Sequence, residues 1–167
     1  VYTVAIPASL PEYAEAQRRG IPVVSRADYL GYIMSGYENR IGVCGMHGKS
    51  TTTSMLERIF RVAGDDPTVS CGAPMKDADG RCDRIGGDAF FLFEACEYMD
   101  SFLDFYPTQA IVLNIEPDHL DYFRDLAQIK ESFSRFLART GERGTVFVNC
   151  QDEDVMEVAA GYPGKLV

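Results

Sequence analysis

The sequence has few basic residues and no long apolar run. Its 167 residues include 16 lysines and arginines against 25 aspartates and glutamates, a formal net charge of −9. Nucleic acids and anionic membranes attract clustered lysine and arginine, so neither is expected as a partner. No apolar stretch approaches the ~18 residues of a membrane-spanning helix, and no signal-peptide pattern opens the sequence. With 46% hydrophobic residues, the sequence indicates a soluble globular protein.

Paired cysteine motifs are also missing. The five cysteines are odd in number, scattered, and form no C-x-x-C pair. This usage fits reduced thiols in a cytoplasmic protein better than a disulfide framework, and it argues against a cysteine metal cluster. Because Cys44 and Cys96 lie in apolar runs, we predict that both are buried.

Short apolar runs alternate with segments whose apolar residues recur at helical spacing. A continuous run such as Phe90-Phe-Leu-Phe93 is typical of a strand buried on both faces of a parallel sheet. The alternation predicts an α/β fold with a doubly wound, mostly parallel sheet. Residues 65–88 are predicted to be mostly loop, with a short strand at 68–71. The other predicted strands are 1–6, 21–24, 40–44, 89–95, 110–115 and 145–148, and the predicted helices are 12–19, 25–36, 51–62, 126–137 and 152–160.

The chain is predicted to divide near residue 37. Residues 1–37 contain predicted strands and helices but no candidate catalytic group, so we predict that they end a preceding α/β domain and connect it onward. Residues 38–167 are predicted to form a second, truncated domain. Because the sequence begins at Val1 within one predicted strand and ends at Val167 in another, we expect a piece of a larger protein.

One stretch joins a predicted buried strand, a glycine turn and a helix start: Ile41-Gly-Val-Cys-Gly-Met-His-Gly-Lys-Ser-Thr-Thr-Thr-Ser-Met-Leu56. Gly45 and Gly48 let backbone N–H groups approach an anion closely, and the helix start adds unpaired N–H groups and a partial positive charge. Lys49 supplies a full positive charge, and Ser50 a hydroxyl suited to Mg²⁺. The stretch predicts a phosphate-binding loop.

The spacing of this loop is not that of a regular Walker A motif. The pattern G-x-x-x-x-G-K-S/T would need glycine where Val43 stands, which leaves a shorter Gly45-x-x-Gly48-Lys49-Ser50. A plain strand, turn and helix is the competing interpretation. The apolar strand before the loop, the threonine run 51–53 and the helical pattern after it favour phosphate binding.

Acidic residues follow two further predicted strands. In an open parallel sheet, ligands gather beyond the carboxyl ends of the strands. Glu94 ends an apolar run and should be nearly buried, where a carboxylate is costly unless it meets a cation. It is therefore the better Mg²⁺ ligand, and Glu97 is predicted to support it or to lie on the surface. His119, in the segment 114–121, is either a functional group or a hydrogen-bonded loop residue.

These segments resemble the Mur ligases, the ATP-dependent amide-forming enzymes of peptidoglycan precursor synthesis. Gly45-Met-His-Gly-Lys-Ser-Thr-Thr-Thr53 is similar to their G-T-H/N-G-K-T/S-T-T loop, with Met46 where threonine is common. His47 favours the branch that adds the first amino acid, or the related murein-peptide recycling branch. Three further segments look like the first of these: Glu94-Ala-Cys-Glu-Tyr98, Asn114-Ile-Glu-Pro-Asp-His-Leu-Asp121 and Ile21-Pro-Val-Val-Ser-Arg-Ala-Asp-Tyr-Leu30.

The resemblance implies ATP and Mg²⁺ as cofactors. It implies that Lys49 contacts the ATP phosphates, that Ser50 and Glu94 hold one Mg²⁺, and that His119 helps to hold a second, with Lys49, Glu94 and His119 as the catalytic set. The nucleotide-binding residues would be Gly45, Met46, His47, Gly48, Lys49, Ser50 and Thr51. In the implied reaction, the γ-phosphoryl group of ATP passes to the carboxylate of UDP-N-acetylmuramate, and the amine of L-alanine attacks the acyl phosphate.

The resemblance also implies an incomplete enzyme. Residues 1–37 would end the UDP-sugar-binding Rossmann-like domain, and residues 38–167 would be part of the central ATP-binding domain, so we expect no ligation by this chain alone. Exposed sheet edges would favour self-association. The alternatives are a murein-peptide recycling ligase, a folylpolyglutamate-type ligase, and a nucleotide-binding module without catalysis.

Overall fold

The computed structural model describes residues 1–3, 7 and 9–167. This part of the chain forms five α-helices, seven β-strands and two short 3-10 helices, at 76–78 and 98–104. The helices are α1 (Pro11–Arg18), α2 (Arg26–Met34), α3 (Lys49–Ala63), α4 (Leu126–Thr140) and α5 (Glu153–Ala159). The strands are β1 (Asn39–Cys44), β2 (Thr68–Ser70), β3 (Asp83–Arg84), β4 (Phe90–Glu94), β5 (Gln109–Val112), β6 (Thr145–Val148) and β7 (Lys165–Leu166).

The strands form one sheet in the order β3-β2-β4-β1-β5-β6-β7. Every pairing is parallel except that of β2 with β3. β1 lies at the centre, where Ile41 is in register with Leu92 of β4 and with Gln109 of β5. The carboxyl end of β1 therefore emerges between those of its two neighbours, at the edge where ligands bind in such sheets.

The sheet has an apolar core on each face. On β4, Phe91 and Phe93 belong to the cluster that contains Phe133 and Phe136 of α4. The intervening Leu92 belongs to the other cluster, against which Leu56 and Phe60 of α3 pack. Successive side chains of a strand point to opposite faces, so a strand that is apolar at every position is covered on both sides. The prediction of a doubly wound, mostly parallel sheet is confirmed.

Polar caps and glycines set the helix ends. Ser25 Oγ accepts a hydrogen bond from Asp28 N (2.9 Å) at the start of α2, and Asp125 Oδ1 accepts one from Gln128 N (2.9 Å) at the start of α4. α3 ends at Gly64, whose φ of +96° suits glycine. α4 continues three residues past the predicted end, because the periodic apolar pattern stops before the backbone turns at Gly141.

One strand predicted in the N-terminal segment was not found, and another lies partly outside the described residues. Residues 21–24 form no strand; a single parallel bridge joins Tyr2 to Ser25, because no longer neighbour pairs with this stretch within the described residues. Residues 4–6 of the strand predicted at 1–6 lie outside the described part.

Sequence patterns also missed short local elements, among them β3 and the 3-10 helix at 98–104. β3 pairs with β2 inside the predicted loop 65–88. A 3-10 helix occupies 98–104, with Met99 and Asp100 at φ of +53° and +56°. Neither segment has a periodicity long enough to reveal it.

The outer strands and the helices limit what the fold can pair with. Each edge of the sheet is a strand of two residues, β3 on one side and β7 on the other. Self-association through these edges stays a prediction. Across residues 1–3, 7 and 9–167, none of the helices has the length and apolar character that crossing a membrane requires.

Candidate functional site

The turn between β1 and α3 needs glycine at both ends. Gly45 has φ of +134° and Gly48 has φ of +85°, which side chains disfavour. A Cβ at Gly45 would also lie 3.0 Å from Leu113 Cβ and 3.1 Å from Asn114 N. The backbone therefore reverses tightly beside the end of β5 and leads directly into the first turn of α3.

Asn114 fixes the shape of this turn. Its Oδ1 accepts a hydrogen bond from His47 N (2.8 Å), and its Nδ2 donates one to His47 O (3.0 Å). Its backbone oxygen accepts from Met46 N (3.3 Å). This role of Asn114 is not visible in the sequence, because its amide contacts a residue 67 positions away.

Lys49 folds back over the loop. Its Nζ donates hydrogen bonds to Gly45 O (2.7 Å), Met46 O (3.2 Å) and Glu97 Oε1 (3.1 Å). Only 11% of the side chain is exposed. The cation is thus held at the mouth of the glycine turn, next to the N-terminus of a 15-residue helix, so two sources of positive potential coincide.

Glu97 is completely buried, with a side-chain exposure of 0%. One oxygen lies 3.2 Å from His119 Nε2, and the other lies 3.0 Å from Lys49 Nζ. This corrects the expectation that Glu97 would support Glu94 or lie on the surface. After β4 the chain turns so that Cys96 faces outward and Glu97 inward, which the apolar pattern does not reveal.

Ser50 and Glu94 form a second polar pair. Ser50 Oγ donates to Glu94 Oε2 (2.7 Å), and the same oxygen accepts from Gly72 N (2.7 Å). Glu94 is partly buried, not nearly buried as expected, because it stands at the end of β4, where the sheet opens to solvent. The pair presents two hard oxygens beside the glycine turn.

His119 lies in a strained turn after β5. Its φ is +52°, and its backbone N donates to Asp118 Oδ1 (2.7 Å). The ring lies 4.9 Å from that of Tyr98, whose hydroxyl donates to Asp121 Oδ2 (2.9 Å); this hydrogen bond raises the pKa of Tyr98. Contact with Glu97 connects His119 to Lys49.

Six of the seven predicted nucleotide-binding residues line one cleft of about 300 Å³, together with Glu94: Met46, His47, Gly48, Lys49, Ser50 and Thr51. His47 is exposed there, with Nε2 3.9 Å from Glu116 Oε2, whereas Met46 is buried. Gly45 contacts the lining residue Lys49 through its carbonyl oxygen, and His119 is connected to the same lysine through Glu97. The structure therefore brings all nine predicted site residues to one edge of the sheet.

This arrangement of strand, loop and helix has known relatives. Residues 43–166 match a family model described as the Mur ligase middle domain. The chain belongs to the Mur ligase family.

Individual relatives agree with this assignment. The UDP-N-acetylmuramate–L-alanine ligase of Agathobacter rectalis is 44% identical over 167 residues, which are 100% of this chain and 36% of that protein. A solved UDP-N-acetylmuramate:L-alanyl-gamma-D-glutamyl-meso-diaminopimelate ligase from Neisseria meningitides has a TM-score of 0.85 at 26% identity, over 98% of this chain and 55% of its own. The UDP-N-acetylmuramate-alanine ligase of Thermotoga maritima shares the fold, with a TM-score of 0.82 at 24% identity, over 93% and 36%.

The oxygens of this Mur ligase segment suit Mg²⁺ at one position. Mg²⁺ takes one or two carboxylates, with waters and phosphates completing its shell, and Ser50 Oγ and Glu94 Oε2 offer a hydroxyl and a carboxylate 2.7 Å apart. Among the described residues, no three histidine, cysteine or acidic side chains gather into a metal-binding group. A metal at this site would therefore depend on phosphate and water for most of its ligands.

The cysteines of this Mur ligase segment behave differently from one another. Cys44 is buried, as predicted, and burial raises the pKa of its thiol. Cys96 is exposed, so its prediction was wrong, although local burial of the sulfur and the charge of Glu97 still raise its pKa. Cys71 Sγ lies 3.9 Å from Glu94 Oε2, although the two residues are 23 positions apart in the sequence.

Proposed function

We propose that this chain is the ATP-binding segment of a ligase that joins L-alanine to UDP-N-acetylmuramate. Residues 1–37 would close the preceding UDP-sugar-binding domain, and residues 38–167 would belong to the central ATP-binding domain. The observation that carries the proposal is the cleft in which Lys49 and the start of α3 meet the Ser50 and Glu94 pair. The choice of L-alanine rests on the 44% identity with the Agathobacter rectalis ligase.

ATP phosphates fit the charge pattern of the loop. A protein with a net charge of −9 needs a local concentration of positive potential to attract a polyanion. Lys49 and the first turn of α3 supply it at one point, and the positive φ of Gly45 and Gly48 gives a turn of the kind whose backbone N–H groups can approach an anion. We assign phosphate contact to residues 45–51, with the lysine as the main cation.

Mg²⁺ belongs beside Ser50 and Glu94 in this proposal. When bound, it would neutralise charge on the phosphates and orient the acceptor oxygen. His119 is proposed to help hold a second ion. Lys49, Glu94 and His119 are the proposed catalytic set, with Lys49 stabilising the charge of the transferred phosphoryl group.

The proposed reaction proceeds in two steps. The carboxylate of UDP-N-acetylmuramate attacks the γ-phosphorus of ATP and releases ADP, which gives an acyl phosphate. The amine of L-alanine then attacks the acyl carbon and releases phosphate. Because the protein performs little covalent chemistry of its own, positioning and electrostatic stabilisation would supply most of the rate enhancement.

A murein-peptide recycling ligase is the second candidate. It is favoured by the TM-score of 0.85 with the Neisseria meningitides ligase. Recycling would use the same cleft with a preformed peptide in place of L-alanine. The lower identity of this match, 26% against 44%, places it behind the L-alanine ligase.

The test compares acceptors with the full-length protein that contains this segment. ATP, Mg²⁺ and UDP-N-acetylmuramate are supplied with either L-alanine or L-alanyl-γ-D-glutamyl-meso-diaminopimelate, and phosphate release is measured. We expect release with L-alanine and its loss in Lys49→Ala. Release with the peptide alone would establish recycling instead, and ATP binding without release for any acceptor would indicate a non-catalytic module.

The 167-residue chain by itself should not ligate. It spans 36% of the length of the Agathobacter rectalis ligase, so most of such an enzyme would lie in other segments. Alanine-dependent phosphate release by this chain alone would contradict the proposed division of labour.

A further inference from the structure

Glu97 stands out because it is a fully buried carboxylate with no assigned role. Burying a carboxylate is costly unless a cation and hydrogen bonds compensate. The compensation here comes from Lys49 Nζ, which lies 3.1 Å from Oε1 and 3.0 Å from Oε2, and from His119 Nε2, which lies 3.2 Å from Oε1. Glu97 thus joins Lys49 of the phosphate loop to His119 in the turn after β5, here called the histidine turn.

Lys49 has no donor to spare in this arrangement. An ammonium group has three N–H donors, and Lys49 uses them on Gly45 O, Met46 O and Glu97 Oε1. A nucleotide phosphate must therefore replace at least one of these acceptors. Glu97 is the only charged one among the three, so it is the acceptor that competes with phosphate most strongly for the positive charge.

We propose that Glu97 is a positioning residue that competes with nucleotide phosphate for Lys49 and sets the affinity of the loop. This inference rests on the proposed ATP-binding function. Glu97 holds the lysine at the mouth of the loop and lowers the positive potential there. When phosphate takes the lysine, Glu97 keeps its contact with His119, so the histidine turn stays aligned with the loop.

The variant Glu97→Gln separates these effects. Glutamine keeps the size of the side chain and an oxygen acceptor but removes the negative charge. We expect the dissociation constant for Mg-ADP to fall about three- to tenfold, because the competing charge has gone from beside Lys49. A residue with a merely structural role would weaken binding or leave it unchanged.

Thermal unfolding gives a second readout. Without ADP, Glu97→Gln should melt below the wild type, because Lys49 is left partly buried without a counter-ion. Added Mg-ADP supplies that counter-ion, so the rise in Tm should be larger in the variant than in the wild type. Glu97→Asp, which keeps the charge, should not tighten ADP binding.

Glu57→Gln is the matched control. Glu57 is a buried carboxylate on α3 that pairs with arginines, Arg61 Nη1 at 3.4 Å and Arg84 Nε at 3.9 Å, and not with Lys49. Its replacement should lower the Tm but leave the ADP-induced rise as in the wild type.

The experiment is calorimetric titration of the 167-residue chain and its variants with Mg-ADP, together with melting curves. Tighter binding in Glu97→Gln, or a Glu97→Gln chain that folds only when Mg-ADP is present, supports the proposal. If the wild type binds Mg-ADP and Glu97→Gln binds it equally or more weakly, only the proposed role of Glu97 is overturned. The same holds if the variant stays unfolded with Mg-ADP. A wild type that binds no ADP overturns the proposed function and this role together.

Discussion

The loop edge of the sheet and the N-terminal segment (residues 9–36) are held by different kinds of contact. At the loop edge, buried polar groups pair with one another, as Lys49 does with Glu97. In the N-terminal segment, α1 has no buried residue, and its contacts include the exposed ion pair of Glu15 with Arg18, a kind worth little in water. The polar residues of the loop edge are thus held by buried pairs with one another, whereas α1 contributes little to the stability of the sheet. Helix α2 differs from α1, because its Met34 is buried in the core.

Replacing a core aromatic residue should lower the free energy of unfolding far more than replacing an aromatic residue of α1. Phe93 on β4 is fully buried between β1 and α4, and Phe93→Ala should lower the free energy of unfolding by about 3–5 kcal/mol. Tyr13 on α1 contacts Tyr2, with ring centroids 5.1 Å apart, and Tyr13→Ala should remove less than about 1 kcal/mol. Urea unfolding measures both free energies. Similar losses would show that α1 contributes as much to stability as the sheet does.

Replacing two glycines with positive φ tests whether the shape of the loop matters for ADP binding. Gly45→Ala places a Cβ against the residues that follow β5, so we expect a loss of about 1–3 kcal/mol and at least tenfold weaker Mg-ADP binding. Gly20→Ala meets nothing within 4 Å and should cost about 1 kcal/mol, with binding unchanged. Equal ADP affinity in the two variants would mean that the shape of the loop does not matter for phosphate.

Replacing Asn114 and Asn39 one at a time tests the contact between Asn114 and His47. Asn114→Ala removes both side-chain hydrogen bonds to His47 and should lower stability by about 1–2 kcal/mol while weakening ADP binding. Asn39 lies at the start of β1, the end away from the glycine turn, and its Nδ2 donates to Ala89 O at 3.1 Å. Asn39→Ala should cost about 1 kcal/mol without affecting ADP, and calorimetry that found the reverse would remove Asn114 from the site.

The cysteines should differ in the rate at which they react with a thiol reagent. Cys82 and Cys150 are exposed and should react with Ellman's reagent within the first phase. Cys44 and Cys71 should react only on unfolding, because burial raises the pKa of both thiols, and Cys96 should be intermediate. Mg-ADP should slow Cys71 further, since its sulfur lies near Glu94; acceleration would argue against a ligand at that oxygen.

The sequence predicted the parts of the fold that depend on local pattern. The run from β1 through Gly45 and Gly48 to α3 is contiguous, and its apolar strand, glycines and helical periodicity are visible without neighbours. β4 was recognisable for the same reason, since its Leu92 and the phenylalanines on either side make both faces of the strand apolar.

What the sequence could not predict depends on distant partners. Glu97 is buried because Lys49, 48 residues earlier, and His119 approach it. The 3-10 helix that follows contains Met99 and Asp100 with positive φ, a geometry that no short apolar pattern encodes. The strand expected at residues 21–24 was not found because strand formation needs a paired neighbour, and among the residues that the structure describes the backbone of Val24 bonds only to Tyr2.

The most direct test of a phosphate-binding loop is a Mg-ADP titration of the wild-type chain and Lys49→Ala. Since Lys49→Ala leaves Glu97 buried without its cation, the double variant Lys49→Ala with Glu97→Gln serves as the folded control, verified by circular dichroism. We expect binding by the wild type and a loss of about a hundredfold or more in both variants. Equal affinity in wild type and folded double variant would contradict the account.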